Sequence, residues 1–488
     1  MKEKSLTKNA VFNTIYRLIN MLFPLMTSMY VSHILMASGV GRVSTAQNIV
    51  QYFVLLAPLG LTTYGTREIA KVRDSRERTE KLFTELFTIN FCSTLIWAIV
   101  YYGMIITMDH FAAERHLYLV AGLPIVFNFI NIEWFYQGNE DYVYIALRNA
   151  VVKMLSLIAV VSFVRTADDY VMYALIYTLG IAGNYIFNIT NAVKKGIRLR
   201  FSGIKIPQHL KPVLILLCSN IAIELYTLLD TTMLGLWCTE EVVGYYTNSV
   251  KLVKIVVSLI SSIGGVLLPR LSYYKEQNMV KRCDSLISKV TKIMLFFSIP
   301  CGIGVMILAE PIVLVMFGET FIPTIGTTRI ATILIYVLGF SNLFGTQVLL
   351  TFNQEKKLLL CTCMGAASNI LMNSMLIPMF QHNGAVVASV ISESVVTLMT
   401  ILISRKYIKV SISVKYWLQI ITSGLGMGLI VYVLSTLINS NLLCLIVCFF
   451  AGLISYLIIG YIEKNSVILD GIVALKRKLA VRGGTSNS

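Results

Sequence analysis

From residue 10 onward the chain alternates between long apolar runs and short segments that carry most of its charge. A membrane-spanning helix needs about 20 apolar residues at 1.5 Å of rise each. About fourteen runs meet that length: 10–34, 44–65, 82–106, 116–136, 143–164, 169–190, 212–235, 244–267, 291–316, 327–350, 358–379, 384–404, 415–437 and 441–462. The pattern predicts an all-α integral membrane protein with about 14 transmembrane helices. Two connecting segments, Glu68–Lys81 and Ser272–Lys292, mix both charge signs with sparse apolar residues and read as short helices lying on the membrane surface. Beyond Lys464 an amphipathic run, Ile468–Leu479, precedes a polar end expected to be disordered.

Composition agrees with this pattern. A 488-residue chain that is 56% hydrophobic and only 14% charged belongs to no soluble globular class. The net charge of +16 would suggest nucleic acid in a soluble protein, but here the basic residues interrupt apolar spans and form no groove-reading motif. Of the 41 Lys and Arg residues, 33 fall in alternate connections and the two ends. Four, Arg42, Arg115, Arg165 and Arg329, fall in the opposite loops. That asymmetry predicts cytoplasmic termini and a multi-pass protein of the bacterial inner membrane. The basic stretch Met1–Lys8 precedes an apolar run too long for a cleavable signal. The nine cysteines include no CxxC pair and read as small buried side chains.

The remaining four cations, Arg17, Lys153, Lys251 and Lys254, lie inside spans, where a charge costs at least about 3 kcal/mol unless it is paired or faces water. Asn220, Glu224, Thr227 and Thr231 share one helical face, with Asp230 beside the last. On the next span Thr247, Lys251, Lys254, Ser258 and Ser261 do the same. Such faces suit the path of an anionic cargo, with Glu224 and Asp230 as counter-charges to Lys251 and Lys254 or as ion-coupling groups. Snorkelling of Arg17 and Lys251 towards the surface is the plainer alternative. Lys153 and Glu133 read first as a structural pair, and Glu393 as a helix-packing hydrogen bond or a protonatable site.

These faces recur. GVGRVSTAQNIV (Gly39–Val50) aligns with EVVGYYTNSVKLV (Glu241–Val253), pairing Gly41 with Gly244, and the same offset pairs Arg67 with Arg270. It carries Arg17 onto Asn220, Ser44 onto Thr247, Asn48 onto Lys251 and Gln51 onto Lys254. QGNEDY likewise aligns with FNQEKK, pairing Glu140 with Glu355. Repeats of about six helices are a common transporter device. The expected domains are an N-lobe of helices 1–6 (1–200), a C-lobe of helices 7–12 (201–410), helices 13–14 (411–465) and a cytoplasmic tail (466–488), with a cavity between the lobes. Arg17, Asn48, Gln51, Lys153, Asn220, Lys251 and Lys254 are the expected cargo contacts.

No Walker A loop provides for ATP, no dinucleotide fingerprint is complete, and nothing in the chain supports catalysis or a metal. The stretches Gly60–Asp74, Asn131–Lys153, Leu225–Leu252 and Asn369–Glu393 closely resemble the Wzx-type polysaccharide flippases of the multidrug/oligosaccharidyl-lipid/polysaccharide exporter superfamily. The resemblance covers nearly the whole chain. It implies two six-helix lobes forming a V around a central cavity, often with two extra C-terminal helices. It also implies a cargo, undecaprenyl-pyrophosphate-linked repeat units of O-antigen or capsule, moved to the outer leaflet by alternating access. An ion gradient or the membrane potential would drive the step, in a monomer, with a polysaccharide polymerase and a chain-length regulator as partners. One departure stands out, since the turn LMASGVGR (Leu35–Arg42) lacks the acidic residue that many members carry there. The competing readings are a cation-coupled multidrug exporter of the same superfamily and a membrane glycosyltransferase or ligase. The first should have an acidic cavity, and the second needs a large outer loop that this chain lacks.

Overall fold

The computed structural model describes residues 6–473 apart from residue 266, so most of the expected C-terminal amphipathic run and the polar end lie outside the described residues. Two compact units divide the chain at Met1–Thr247 and Asn248–Ser488. The first holds α1 (Leu6–Leu56), α2 (Leu61–Val72), α3 (Arg76–Thr107), α4 (Arg115–Ala121), α5 (Leu123–Phe127), α6 (Glu133–Gly138), α7 (Tyr142–Phe163), α8 (Tyr170–Lys194), α9 (Pro207–Trp237) and the first turns of α10 (Glu240–Gly265). The second holds the rest of α10, then α11 (Leu267–Glu276), α12 (Val280–Ile307), α13 (Ala309–Phe317), α14 (Thr324–Ala331), α15 (Ile333–Ser341), α16 (Glu355–Ser404), α17 (Val414–Leu437) and α18 (Asn441–Ile462).

Among the described residues nine helical stretches are long and apolar enough to cross a membrane. Two are double. At 51 and 50 residues, α1 and α16 would each run to about 75 Å, more than twice the hydrocarbon thickness. Each is broken at one residue with a left-handed φ, Met36 (φ 57°) in α1 and Gln381 (φ 50°) in α16. Next to Gln381 the arms nearly touch, since a methyl group on Gly384 would lie 2.2 Å from the Leu376 carbonyl oxygen.

Several expected boundaries move, each for a local reason. The second arm of α1 stops at Leu56, and Gly60 (φ 78°) opens α2 seven residues ahead of the expected surface helix. Ser75 then caps α3 at once, accepting from the Arg78 N–H, so the surface segment ends at Val72 and not at Lys81. In the second unit, Asn278 (φ 53°) closes α11, and α12 already begins at Val280. The apolar run 116–136 is a broken helix, α4 to α6. Its freed backbone is satisfied from α3, because the Asn90 side-chain amide donates to the Asn128 carbonyl at 2.7 Å. Irregular backbone at membrane depth needs such internal partners.

Two helix-closing turns share one geometry. The Asp141 N–H donates to the Tyr136 carbonyl and the Glu140 N–H to that of Gln137, while Gln354 and Asn353 do the same with Leu349 and Leu350. Both turns place one residue, Glu140 or Asn353, at φ 55°. The same helix-closing motif also ends other helices, at Gly196, Asn278 and Lys464, and here it matches Glu140 to Asn353, not to the Glu355 of the sequence alignment.

In the first unit one apolar core lies around Tyr101, Phe111 and Ile125, and another around Leu61, Phe83, Trp134 and Tyr136. The segment before α9 is stapled to α3. Arg200 donates to Glu80 at 2.8 Å, and the Lys205 N–H donates to Glu85 at 2.7 Å. Buried His209 joins Glu85 (2.9 Å) to Tyr64 of α2 (2.7 Å). In the second unit α12 packs on α17 and α18 around Phe296, Met427 and Tyr456.

Candidate functional site

The polar faces read from the sequence separate into two sets. In the first unit, Asn48 is buried and its Nδ2 donates to Thr232 Oγ1 at 2.7 Å. Tyr52 shares the same hydroxyl at 2.7 Å, and Gln51 is exposed. Thr232, next to the Thr231 of the expected polar face, is thus a residue of α9 that meets the second arm of α1.

Towards the turn at Met36, the contact between the second arm of α1 and the start of α10 is two-fold symmetric. A methyl group on Gly41 would lie 1.7 Å from the Glu240 carbonyl oxygen, and one on Gly244 would lie 2.4 Å from that of Ala37. The second pair is the first with the two strands of the repeat exchanged. Between them Ser44 Oγ and Thr247 Oγ1, repeat-equivalent residues 203 apart, lie 3.3 Å from each other. Only glycine permits so close an approach of two backbones.

The acids are held close by. Asp230 is buried and accepts from Tyr246 at 2.5 Å, and Glu224 is half-buried and accepts from Thr227 at 3.4 Å. A cavity of about 200 Å³ opens beside the symmetric contact, lined by Arg42, Thr45, Glu114, Cys238, Glu240 and Val243, among others. Arg42 pairs there with Glu114 at 3.1 Å and lies over the ring of Tyr170. Glu114 thus brings a carboxylate against Arg42, at the end of the turn that itself has none.

Deeper in the same unit, Arg148 is the cation that the sequence reading passed over. Its side chain is 3% exposed and donates to Asn184, Asn188 and Glu133, the last at 3.3 Å. Glu133 therefore pairs with Arg148, and Lys153 instead lies 5.2 Å from the centre of the Phe23 ring. Neighbouring Asn149 donates to Asn20 at 3.0 Å. Arg148 lies near the start of the expected span 143–164 and was counted with the basic residues of the preceding connection, although its helical spacing from Lys153 was a signal available. The side chains of Arg17 and Asn220 lie outside the described residues.

In the second unit Lys251 is half-buried, and Lys254, one turn on, is exposed. Nearby on α10, Ser249 is buried, with its Oγ 3.2 Å from Thr328. Glu393 of α16 is half-buried. The helix bearing the lysine pair is therefore fixed on its back by hydroxyl contacts to α14.

This fold is shared with solved transporters of the multidrug/oligosaccharidyl-lipid/polysaccharide exporter superfamily. It matches the solved structure "Lipid II flippase MurJ, inward closed conformation" with a TM-score of 0.77 at 17% identity, covering 94% of this chain and all of that one. A solved inward-facing multidrug resistance MATE family transporter matches with a TM-score of 0.61 at 13% identity, covering 82% of this chain and 97% of its own. Within the superfamily the particular group is plain. The model of the polysaccharide biosynthesis protein family matches residues 6–275, more than half of the chain, and the chain belongs to that family as a polysaccharide flippase. It is also 22% identical over 408 residues to the "Putative O-antigen transporter" of Escherichia coli (strain K12), covering 82% of this chain and 97% of the relative.

Proposed function

We propose that the protein flips undecaprenyl-pyrophosphate-linked oligosaccharide repeat units, precursors of O-antigen or capsule, from the cytoplasmic to the periplasmic leaflet of the inner membrane. The observation that carries this reading is the lysine pair of α10, half-buried Lys251 and exposed Lys254, on one face of a 26-residue helix in a chain of this family. A diphosphate carries about two negative charges, and its burial without partners is prohibitive. Two ammonium groups one turn apart offset that cost through charge-assisted hydrogen bonds. At the equivalent positions of the repeat, exposed Gln51 offers its amide to sugar hydroxyls, Asn48 would do so on leaving Thr232, and the polyprenyl tail stays in lipid. Arg17, Asn220 and Lys153 complete the proposed cargo contacts.

Alternating access requires the outer ends of the helices to part and rejoin. The symmetric contact at Gly41 and Gly244 suits that role, because it rests on backbone proximity and a single hydroxyl pair. Separating it costs little compared with breaking an ion pair. Glu224, Asp230 and Glu393 are the candidate counter-charges or coupling groups for an ion gradient or the membrane potential, with no ATP consumed. Both termini face the cytoplasm in this scheme, the protein works as a monomer, and a polymerase and a chain-length regulator act on or beside its product.

The MATE likeness favours one second reading, a cation-coupled drug exporter. Proteoliposomes distinguish the two. The protein is expected to flip a short-chain polyprenyl-diphosphate sugar and to leave ethidium gradients unchanged, whereas ethidium export without lipid flipping would assign it to the drug exporters.

A further inference from the structure

The second unit has a larger cavity that the transport reading does not use. It measures about 660 Å³, within the range of small-molecule pockets. Its floor is apolar, built from Leu295 of α12, Phe340 and Phe344 around the end of α15, and Ile401 of α16. Arg405, Lys409 and Trp417 form its rim. Arg405 directly follows the last residue of α16, Lys409 lies in the link to α17, and Trp417 is in the first turn of α17. The cations therefore sit where two spans end, which is headgroup level for a helix that crosses the bilayer.

Neither Arg405 nor Lys409 forms an ion pair among the described residues, and both are exposed. The carboxylate near this link, Asp284, is occupied by the backbone N–H of Lys409 at 2.8 Å. Lys292 lies over the ring of Tyr416 at 5.5 Å, and Lys357 donates to Tyr407 at 2.7 Å, so further positive charge surrounds the link. An apolar cavity rimmed by unpaired cations and an interfacial Trp asks for a ligand with a hydrocarbon tail and an anionic head. A soluble phosphate would leave the floor uncovered, and a neutral lipid would leave the rim unmatched.

We propose that this cavity is a resident site for an anionic phospholipid, with an acyl chain against Phe340 and Phe344 and the phosphate met by Arg405 and Lys409. The site is separate from the lysine pair of α10, and its occupant is membrane lipid and not cargo. Trp417 supplies the readout. In vesicles containing phospholipid brominated on the acyl chain, the emission of Trp417 is isolated as the difference between the wild type and Trp417→Phe. Brominated phosphatidylglycerol is expected to quench it at least threefold more than brominated phosphatidylcholine at equal mole fraction. The double variant Arg405→Ala/Lys409→Ala should lose that preference, Arg405→Lys/Lys409→Arg should keep it, and Lys281→Ala/Lys289→Ala, charge-matched and outside the cavity lining, should also keep it. Equal quenching by both lipids in the wild type overturns the proposal. So does a preference that survives in Arg405→Ala/Lys409→Ala, or one lost equally in Lys281→Ala/Lys289→Ala, which would mark general surface attraction. Should the alanine pair fail to fold, the salt response decides, since the wild-type preference must shrink between 50 and 500 mM NaCl.

Discussion

Two cations in neighbouring turns of α7 show how burial and partners decide what an intramembrane charge is for. Arg148 is enclosed by Asn184, Asn188 and Glu133, and removing it takes the cation from Glu133 and a donor from both amide oxygens. Such a loss costs about 3 kcal/mol or more. Lys153 has an aromatic ring for company, a contact worth about 0.5–2 kcal/mol. Thermal melts in detergent should therefore show Arg148→Ala unfolding well below the wild type and Lys153→Ala close to it, and the reverse order would contradict this division. The sequence marked Lys153 because it stands in the middle of an apolar run. Arg148 was hidden because an apolar count places it at a span edge, where positive charge is unremarkable. Only the packing of α8 against α7 reveals its burial, and that packing joins residues 40 apart in the chain.

At the scale of elements, the sequence offset shows which residues correspond and the structure shows which of them touch. Gly41 and Gly244 were legible as equivalents, and so were Ser44 and Thr247, because the repeat keeps its offset across the whole helix. That each equivalent pair also meets was not legible, since an alignment gives correspondence without proximity. Ser44→Cys/Thr247→Cys, with Cys238 replaced by Ser, should form a disulfide on mild oxidation, the two hydroxyls being 3.3 Å apart. Flipping should stop when the bond forms and return on reduction, and flipping that continues through the crosslink would remove this contact from the transport cycle. Gly41→Leu should cut transport at least tenfold without a crosslink, because no side chain fits at 1.7 Å from a carbonyl oxygen. The broken helix α4–α6 was read from sequence as one span, since an apolar count does not register the turn that Asn90 stabilises. Glu85 ties α3, α9 and, through His209, α2 together. Glu85→Gln should lower the melting temperature by several degrees while leaving the protein in the membrane, and an unchanged melt would remove this tie from the stability of the unit.

For the whole molecule, hydropathy and charge asymmetry carry the membrane class and the helical fold, because lipid leaves the backbone few alternatives to the helix. They also set the proposed orientation. Cysteines placed at Glu240 and at exposed Gln381 should label from outside intact cells and one at Arg76 should not, and labelling of Arg76 alone would invert the topology. Within the first unit Asp230 accepts from Tyr246, a partner that the sequence does not single out. The central claim is that a diphosphate crosses the membrane against positive charge on α10. It is tested most directly by the flipping rate of a polyprenyl-diphosphate sugar in proteoliposomes, measured for the wild type and for Lys251→Ala/Lys254→Ala at matched protein content. The account predicts at least a tenfold loss in the double variant and substantial recovery in Lys251→Arg/Lys254→Arg. An undiminished rate in Lys251→Ala/Lys254→Ala would contradict it.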